Sequence, residues 1–249
     1  VEFSTKTSGG GETPTPPDQE NAVVELSYQE SGKEGITKVS YEKFEDATVA
    51  LNALDDCSNI TLTLLKDTTI QPTKAYGYAA VIQKSCTLDL NGKVLTAYSD
   101  IVGSLTGGLL VEGNVHFVLT DSSEDHTGMI LSKSGPASMI TGLEIGSGFD
   151  EEVYESLPGT ITFEMNGAVV KNSNYDQSKA TKGCLSMSSD CTSAVLNDSV
   201  VYGAVTANCA SLTLNDSRIE ASTENQQVLT FRGKLIMDGS TITNTYDGS

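Results

Sequence analysis

The feature that most constrains the fold is a short frame that recurs, always in the same direction, from about residue 60 to the end of the chain. An apolar–any–apolar triplet leads into an Asn-like position, which a turn residue and a β-branched run follow. The copies are L-T-L-L-K-D-T-T-I from Leu62, L-D-L-N-G-K-V-L from Leu88, F-V-L-T-D-S from Phe117, F-E-M-N-G-A-V-V from Phe163, A-V-L-N-D-S-V-V from Ala194, L-T-L-N-D-S-R-I from Leu212 and L-I-M-D-G-S-T-I from Leu235. Self-similarity of this kind predicts a solenoid, in which each repeat buries its apolar face against the next one.

The turn inside this frame has two interpretations. Asn91-Gly92 on its own is typical of a β-hairpin, because a type I′ turn needs positive φ at both central residues. In two later copies the Gly place is taken by Asp198 or Asp216, which suit positive φ less well than Gly. A single left-handed Asn bends a chain without reversing it. We therefore expect a chain that keeps winding, and an antiparallel sandwich of hairpins is the alternative.

On the winding interpretation, the Asn-like positions of successive repeats stack at one bend of the solenoid. Asn91 is expected to take the left-handed conformation, with Leu88 and Leu90 facing the core on the strand before it. The predicted bend stack consists of Asn91, Asn166, Asn197, Asn215 and Asp238.

The composition along the chain divides it into three parts. Residues 1–20 are rich in Gly, Thr and Pro and are predicted to be a flexible linker. Residues 21–58 are predicted to hold N-terminal strand sequence, A-V-V-E-L and I-T-K-V-S, and one amphipathic helix that Ser40 caps. Residues 59–249 are predicted to be the solenoid. The helical spacing is carried by Tyr41, Phe44, Thr48, Leu51 and Leu54.

Charge and length exclude several classes of function. The formal net charge of −18 argues against binding to nucleic acid or to an anionic membrane surface, because the cations that neutralise phosphate are missing. No apolar run approaches the length of a membrane span, so no membrane insertion is expected in this fragment. The sequence begins without Met, and we expect a segment of a longer parent chain whose further coils or capping domain follow T-I-T-N-T-Y.

Residues 36–96 carry a resemblance to a known family. The helix segment S-Y-E-K-F-E-D-A is followed by I-T-L-T-L-L-K-D-T-T-I and then by V-I-Q-K-S-C-T-L-D-L-N-G-K-V-L-T. This order resembles the right-handed parallel β-helix domains of pectin-lyase-like proteins, in particular those of bacterial cell-surface and adhesin-type proteins. The resemblance implies an all-β solenoid of about seven to eight coils with three sheets and an N-terminal capping helix. It also implies an extracellular location on a bacterial cell surface.

The same family contains enzymes, so its catalytic motifs decide whether activity is expected. The hydrolase motifs N-T-D, D-D and G-H-G have no convincing counterpart, and neither histidine, His116 or His126, lies in a G-H-G. We therefore expect no catalytic residues and a non-catalytic stalk or adhesive segment. Its expected partners are a glycan or a protein of a host or bacterial surface, and other domains of the parent chain.

The alternative is a carbohydrate-active enzyme, a polysaccharide lyase or a glycoside hydrolase. Asp198 and Asp216 occupy the same place in consecutive frames, so adjacent coils would stack their carboxylates as an acid–base or calcium-binding pair. Arg218 would be the accompanying cation. The competing interpretation is ordinary turn chemistry, with both carboxylates in water.

Three further sets of residues are candidate sites. No cofactor or metal is expected, and the alternative metal site is Asp121 with Asp125 in the polar loop before His126. Cys191 and Cys209 share a register, which is compatible with a disulfide or with an interior stack of free thiols, and we favour the thiols. Tyr76, Tyr78 and Tyr98 are the candidates for an aromatic surface that would bind carbohydrate, and the interpretation that we favour is loop tyrosines that cover the side of the solenoid.

Overall fold

The computed structural model describes residues 20–102, 105–135, 139–146, 157–173, 184–222 and 227–247, so the predicted linker lies almost wholly outside the described residues. In chain order the strands and the helix are β1 (Val24–Glu30), β2 (Thr37–Tyr41), α1 (Phe44–Asn52), β3 (Cys57–Leu64), β4 (Thr68–Ile70), β5 (Tyr78–Ile82), β6 (Cys86–Asp89), β7 (Val94–Ser99), β8 (Leu105–Val111), β9 (Val115–Thr120), β10 (Met129–Ser134), β11 (Met139–Ile145), β12 (Ile161–Asn166), β13 (Val169–Asn172), β14 (Leu185–Met187), β15 (Cys191–Asn197), β16 (Val200–Tyr202), β17 (Val205–Ala207), β18 (Ser211–Asn215), β19 (Arg218–Ala221), β20 (Leu229–Phe231), β21 (Lys234–Asp238) and β22 (Thr241–Asn244).

These strands form three sheets, and from β3 onward consecutive strands visit the three sheets in a fixed rotation. Sheet A has the order β2-β1-β3-β6-β9-β12-β15-β18-β21, sheet B has β22-β19-β16-β13-β10-β7-β4, and sheet C has β20-β17-β14-β11-β8-β5. Every pairing from β3 to β22 is parallel, and the antiparallel pairings are those of β1 with β2 and with β3. The all-β prediction is confirmed, and the stacked parallel sheets are compatible with a β-helix.

The turn at Asn91-Gly92 explains why the local signal was ambiguous. Both residues have positive φ, 47° and 72°, and the Lys93 N–H donates to the Leu90 carbonyl at 2.8 Å, as in a type I′ turn. The strands on its two sides nevertheless lie in different sheets, β6 in sheet A and β7 in sheet B. The hairpin alternative is therefore wrong, because hydrogen bonds to neighbouring repeats replace the pairing of β6 with β7.

The core is a narrow column of inward-facing side chains that runs along the stack. One contiguous cluster of buried residues extends from Val24 to Ile219. Many strands contribute alternate residues, as β12 does with Ile161, Phe163 and Met165, all at 0 % exposure. This column explains how a chain with only 6 % aromatic residues still forms a continuous interior.

The predicted helix is present, but its start differs from the prediction. The helix begins at Phe44, and its N-cap residue is Lys43, whose side chain makes no capping hydrogen bond. Ser40 is wrong as the cap because it lies in β2, opposite Glu25 of β1. The β pairing of residues 37–41 takes precedence over the local capping preference, since it satisfies the backbone groups of the whole segment.

The last residue of α1 covers an open strand edge. Asn52 donates from Nδ2 to the Val81 carbonyl at 2.9 Å, and its Oδ1 accepts from the Gln83 N–H at 2.8 Å. These two bonds replace a neighbouring strand for β5, the first strand of sheet C. The helix therefore covers the edge of β5 at the N-terminal end of the stack.

Candidate functional site

The bends between sheet A and sheet B carry most of the predicted site residues. Three Asn side chains form a hydrogen-bonded ladder there: Asn215 Nδ2 donates to Asn197 Oδ1, and Asn197 Nδ2 donates to Asn166 Oδ1, each at 2.8 Å. Asp238 lies next in the same register, opposite Asn215. A parallel, in-register stack permits such a ladder because identical side chains lie one strand spacing apart.

Asn91 does not belong to this ladder, and its predicted place in the stack was wrong. The residue of β6 in that register is Asp89, which pairs with Thr120, and Thr120 pairs with Asn166. Asn91 lies two residues further on and donates from Nδ2 to the Leu64 carbonyl at 2.9 Å. A two-residue slip keeps the same faces buried, so the hydrophobic pattern does not reveal it. Leu88 and Leu90 are both fully buried, as predicted.

The left-handed residue of the later bends is also displaced from the prediction. Asn91 itself has positive φ, but in the N-D-S copies the left-handed residues are Asp198 and Asp216, with φ of 46° and 47°. Asn197 and Asn215 are the last residues of β15 and β18 and remain extended. Asp tolerates this region better than most side chains, and the ladder requires its Asn residues to stay in the strands.

We predict that Asn197→Ala destabilises the protein by about 1–2 kcal/mol, because it removes two hydrogen bonds and leaves two half-buried amide groups without partners. Asn215→Ala breaks the single ladder bond between Asn215 and Asn197, and we expect a smaller loss. Urea unfolding of the two variants measures the difference. Equal losses would contradict a ladder in which Asn197 is the central member.

Asp198 and Asp216 are brought into neighbouring positions by these bends. The Asp198 N–H donates to the Asn215 carbonyl at 3.0 Å, and the Asp216 N–H donates to the Asp238 carbonyl at 2.8 Å. Both residues are exposed. Gly239 takes the next left-handed position, and an added Cβ there would lie 2.1 Å from Asp216 Oδ1. The carboxylate of Asp216 therefore lies against the following bend.

Arg218 has partners of its own on the outer face of sheet B. Its guanidinium carbon lies 5.3 Å from the ring centroid of Tyr202, its Nη2 donates to the Tyr202 hydroxyl, and its Nε lies 3.7 Å from a Glu220 carboxylate oxygen. The Lys171 ammonium lies 5.6 Å from the same ring centroid. We call these four residues the Tyr202 patch. It is a local aromatic and cationic surface on an acidic protein.

Sequence reasoning missed Lys171 and Tyr202 as members of this patch. They pair in register between β13 and β16, and Tyr202 pairs with Glu220 of β19. The alternation of the strands indicates that both residues face outward, because each follows a buried residue, Val170 or Val201. That they lie side by side depends on the alignment of three repeats, which the sequence does not give.

The carboxylate of Asp121 accepts hydrogen bonds from backbone N–H groups of its own loop and of the neighbouring bend. Its Oδ1 accepts from the backbone N–H groups of Gly92 at 2.7 Å and Ser123 at 3.1 Å, and its Oδ2 accepts from that of Gly128 at 2.5 Å. The side chain is buried, with 3 % of the residue exposed. Burial alone would raise the pKa of this carboxyl, but the three backbone hydrogen bonds outweigh burial and hold the pKa below its ordinary value.

These contacts bear on the alternative metal site at Asp121 and Asp125. Asp125 is exposed, and His126 has a φ of 48° beside the Gly167 bend. In the part of the chain that the structure describes, no group of three or more His, Cys, Asp or Glu side chains could hold a metal ion. The carboxylate of Asp121 instead satisfies backbone donors, which explains its burial.

The two cysteines of the shared register are buried next to each other as free thiols. Cys191 and Cys209 are both at 0 % exposure, and neither is in a disulfide. The hydrogen bond between the two thiols and the burial of the site raise the pKa of the Cys191 thiol. Of the two interpretations of this pair, the interior stack of thiols agrees with these contacts.

The tyrosines predicted to form one aromatic surface lie on different elements. Tyr76 is in the loop before β5 with a φ of 55°, Tyr78 begins β5, and Tyr98 lies in β7 of sheet B. The ring of Tyr78 lies over Gly107 of β8, where an added Cβ would approach a ring carbon to 2.1 Å. All three residues are half-buried.

Comparisons with known proteins add no further identification. No protein-family model, curated protein or solved structure matches the chain. None of the helical residues that the structure describes forms a segment long and apolar enough to cross a membrane.

Proposed function

We propose that this chain is a non-catalytic module of an extracellular bacterial surface protein, a right-handed parallel β-helix that acts as a stalk or adhesive segment. The observation that carries the proposal is the continuity of the stack. One buried core extends from Val24 to Ile219, and the sheets place strands of successive repeats side by side. A right-handed winding is the hand expected when parallel strands of one sheet are joined by crossovers.

The mechanical role follows from how such a stack resists deformation. Each inner strand has hydrogen-bonded neighbours on both sides, and bending the rod would break these ladders together with the Asn ladder of Asn166, Asn197 and Asn215. A rod of this kind holds its outer faces and loops at fixed positions. We propose that those surfaces are presented to a glycan, with the exposed polar groups of the Tyr202 patch as a contact point.

The arrangement of the candidate catalytic residues supports a non-catalytic role. A general acid or base usually lies in a concave site where burial or a close charge tunes its pKa. Asp198 and Asp216 instead project from exposed bends, and the guanidinium of Arg218 is engaged by Tyr202 and Glu220. These three side chains are therefore not arranged to activate a nucleophile between them.

One observation favours a second candidate function, a polysaccharide lyase or glycoside hydrolase. The backbone bonds at the two N-D-S bends place Asp198 and Asp216 on adjacent repeats, about 4.8 Å apart along the stack. A retaining glycosidase uses two carboxyl groups at a similar separation. The net charge of −18 opposes this function on acidic polysaccharides unless calcium intervenes.

A panel of neutral and acidic polysaccharides, incubated with and without calcium, tests the two functions against each other. We expect no release of reducing ends or unsaturated products from any of them, with the wild type and Asp216→Asn indistinguishable. A glycan array on the same protein measures binding without turnover. Turnover that Asp216→Asn abolishes would overturn the non-catalytic proposal in favour of the enzyme.

A further inference from the structure

The strands of sheet B differ in charge from the rest of this acidic chain. They contain three cations, Lys133 of β10, Lys171 of β13 and Arg218 of β19, and one carboxylate, Glu220 of β19. The strands of sheet A contain five carboxylates and two lysines, and those of sheet C contain one carboxylate and no Lys or Arg. Sheet B is therefore the one sheet whose strands have a net positive charge, in a chain with a formal net charge of −18.

Two of these cations are held in place by one aromatic ring, that of Tyr202. Lys171, Tyr202 and Glu220 pair in register, and the order of sheet B puts β16 between β13 and β19. Lys171 and Arg218 therefore reach the ring from the two neighbouring strands, with charged groups 5.6 Å and 5.3 Å from its centroid. Contact with the ring restricts both long side chains, so less conformational entropy is lost when they bind a ligand.

The guanidinium of Arg218 has donors that its contacts within the described residues do not use. One N–H of Nη2 donates to the Tyr202 hydroxyl, and Nε lies 3.7 Å from a carboxylate oxygen of Glu220. The Nη1 group and the second N–H of Nη2 are left for a further acceptor, and the side chain is 46 % exposed. A guanidinium with two such groups holds a carboxylate by parallel hydrogen bonds.

The surroundings of the patch favour a ligand with one negative charge over a polyanion. Asp198 and Asp216 lie exposed at the bends that lead into β16 and β19. A chain with a charge on every unit would extend beyond the patch and place some of its charges beside these carboxylates, which repel them. A single carboxylate needs only the local cations, because charges more than about 8 Å away are largely screened at physiological ionic strength.

We propose that the Tyr202 patch binds an acidic sugar, with one carboxylate, at the end of an otherwise neutral glycan. This inference rests on the proposed function, in which the patch is presented to a glycan. Arg218 is the main contact and donates to the carboxylate oxygens, and the ammonium of Lys171 adds a second positive charge from the other side of Tyr202. Val169 and Val200 are half-buried, lie in one register row with Arg218 and offer apolar surface to the C–H groups of the sugar ring.

Titrations of the protein with sialyllactose and with lactose, followed by NMR of the isotope-labelled chain, test the charge of the ligand. Sialyllactose has one carboxylate on its terminal sugar, and lactose is the same disaccharide without that sugar. We expect the Kd of sialyllactose to be lower by about tenfold or more, because the pair of a carboxylate with Arg is charge-assisted. An oligogalacturonate, with a carboxylate on every sugar, should bind more weakly than sialyllactose.

Three variants test the position of the site. Arg218→Gln should raise the Kd of sialyllactose about tenfold. Arg232→Gln is the matched control, because Arg232 is the other arginine of the chain, is exposed and follows β20 of sheet C, and it should leave the Kd unchanged. Glu220→Gln removes the carboxylate of the patch and should lower the Kd about threefold, a gain that a misfolded protein would not show.

Three outcomes would overturn the proposal, and they bear differently on the proposed function. Equal affinity for lactose and sialyllactose, or tighter binding of the oligogalacturonate, would leave glycan binding intact and exclude a single carboxylate as its determinant. Sialyllactose binding that both Arg218→Gln and Glu220→Gln leave unchanged would place the acidic sugar on another surface. A lack of sialyllactose binding would exclude the inference alone, and a glycan array that is also blank would remove the glycan-binding part of the proposed function.

Discussion

Replacement of Phe163 by Ala is expected to destabilise the protein by about 3–5 kcal/mol, one of the two largest effects that we predict for a single substitution. Phe163 of β12 stacks on Phe117 of β9, with ring centroids 5.9 Å apart and an interplanar angle of 12°, and both residues are fully buried. Truncation removes the apolar contacts of one ring and leaves a cavity in the middle of a narrow core. Guanidinium unfolding, followed by circular dichroism, measures the loss.

Two variants define what the Phe163→Ala result means. Phe163→Leu keeps most of the volume and should cost less than about 1.5 kcal/mol. Phe231→Ala truncates a half-buried ring in the last strand of sheet C, where fewer repeats depend on it, and should have a smaller effect than the truncation of Phe163. If Phe163→Ala lowered the unfolding free energy by less than Phe231→Ala does, the central position of Phe163 in the core would not be important for stability.

Replacement of Asp121 by Asn is expected to destabilise the protein by about 2–3 kcal/mol at neutral pH. The carboxylate of Asp121 accepts hydrogen bonds from three backbone N–H groups. The substitution removes the negative charge and replaces one acceptor oxygen with an NH2 group that cannot accept a hydrogen bond. At least one buried donor of Gly92, Ser123 or Gly128 then has no partner. Asp125→Asn, on an exposed residue of the same loop, is the control and should be neutral.

The effect of Asp121 depends on pH in a defined direction. Its pKa in the folded protein lies below the ordinary value of 3.8, so the folded state binds its proton less readily than the unfolded state does. Its contribution is fully present above the unfolded pKa and is lost as the pH falls through the folded pKa. The difference in unfolding free energy between wild type and Asp121→Asn should therefore shrink below about pH 4. A difference that is constant down to pH 2 would contradict the assignment.

Local sequence signals predicted the strands and the helix because each rests on a short-range property. The alternation of F-E-M-N-G-A-V-V identified β12 and β13, and the apolar spacing of residues 41–54 identified α1. The Ser40 cap was wrong because the pairing of β2 with β1 is a contact between distant parts of the sequence. Local preference has little weight against a ladder of backbone hydrogen bonds.

The candidate site was predicted in part, and the residues that were misplaced or missed depend on the register between repeats. The common register of Asn166, Asn197 and Asn215 was visible in the repeated frame, and the structure joins their amides in a ladder. Asn91 was misplaced by two residues. The Tyr202 patch was missed because its four residues come together only when β13, β16 and β19 are aligned.

The sequence by itself determined that the chain winds in repeats, with a column of alternate apolar residues inside and Asn-rich bends outside, because these properties are periodic. The tertiary structure decided that Asn91-Gly92, which has the two positive φ angles of a type I′ turn, joins two different sheets. It also decided that Asp198 and Asp216 take the left-handed conformation. The physical reason is that both outcomes depend on hydrogen bonds between neighbouring repeats. A period of two residues fixes which face is buried but leaves the alignment of strands to the packed stack.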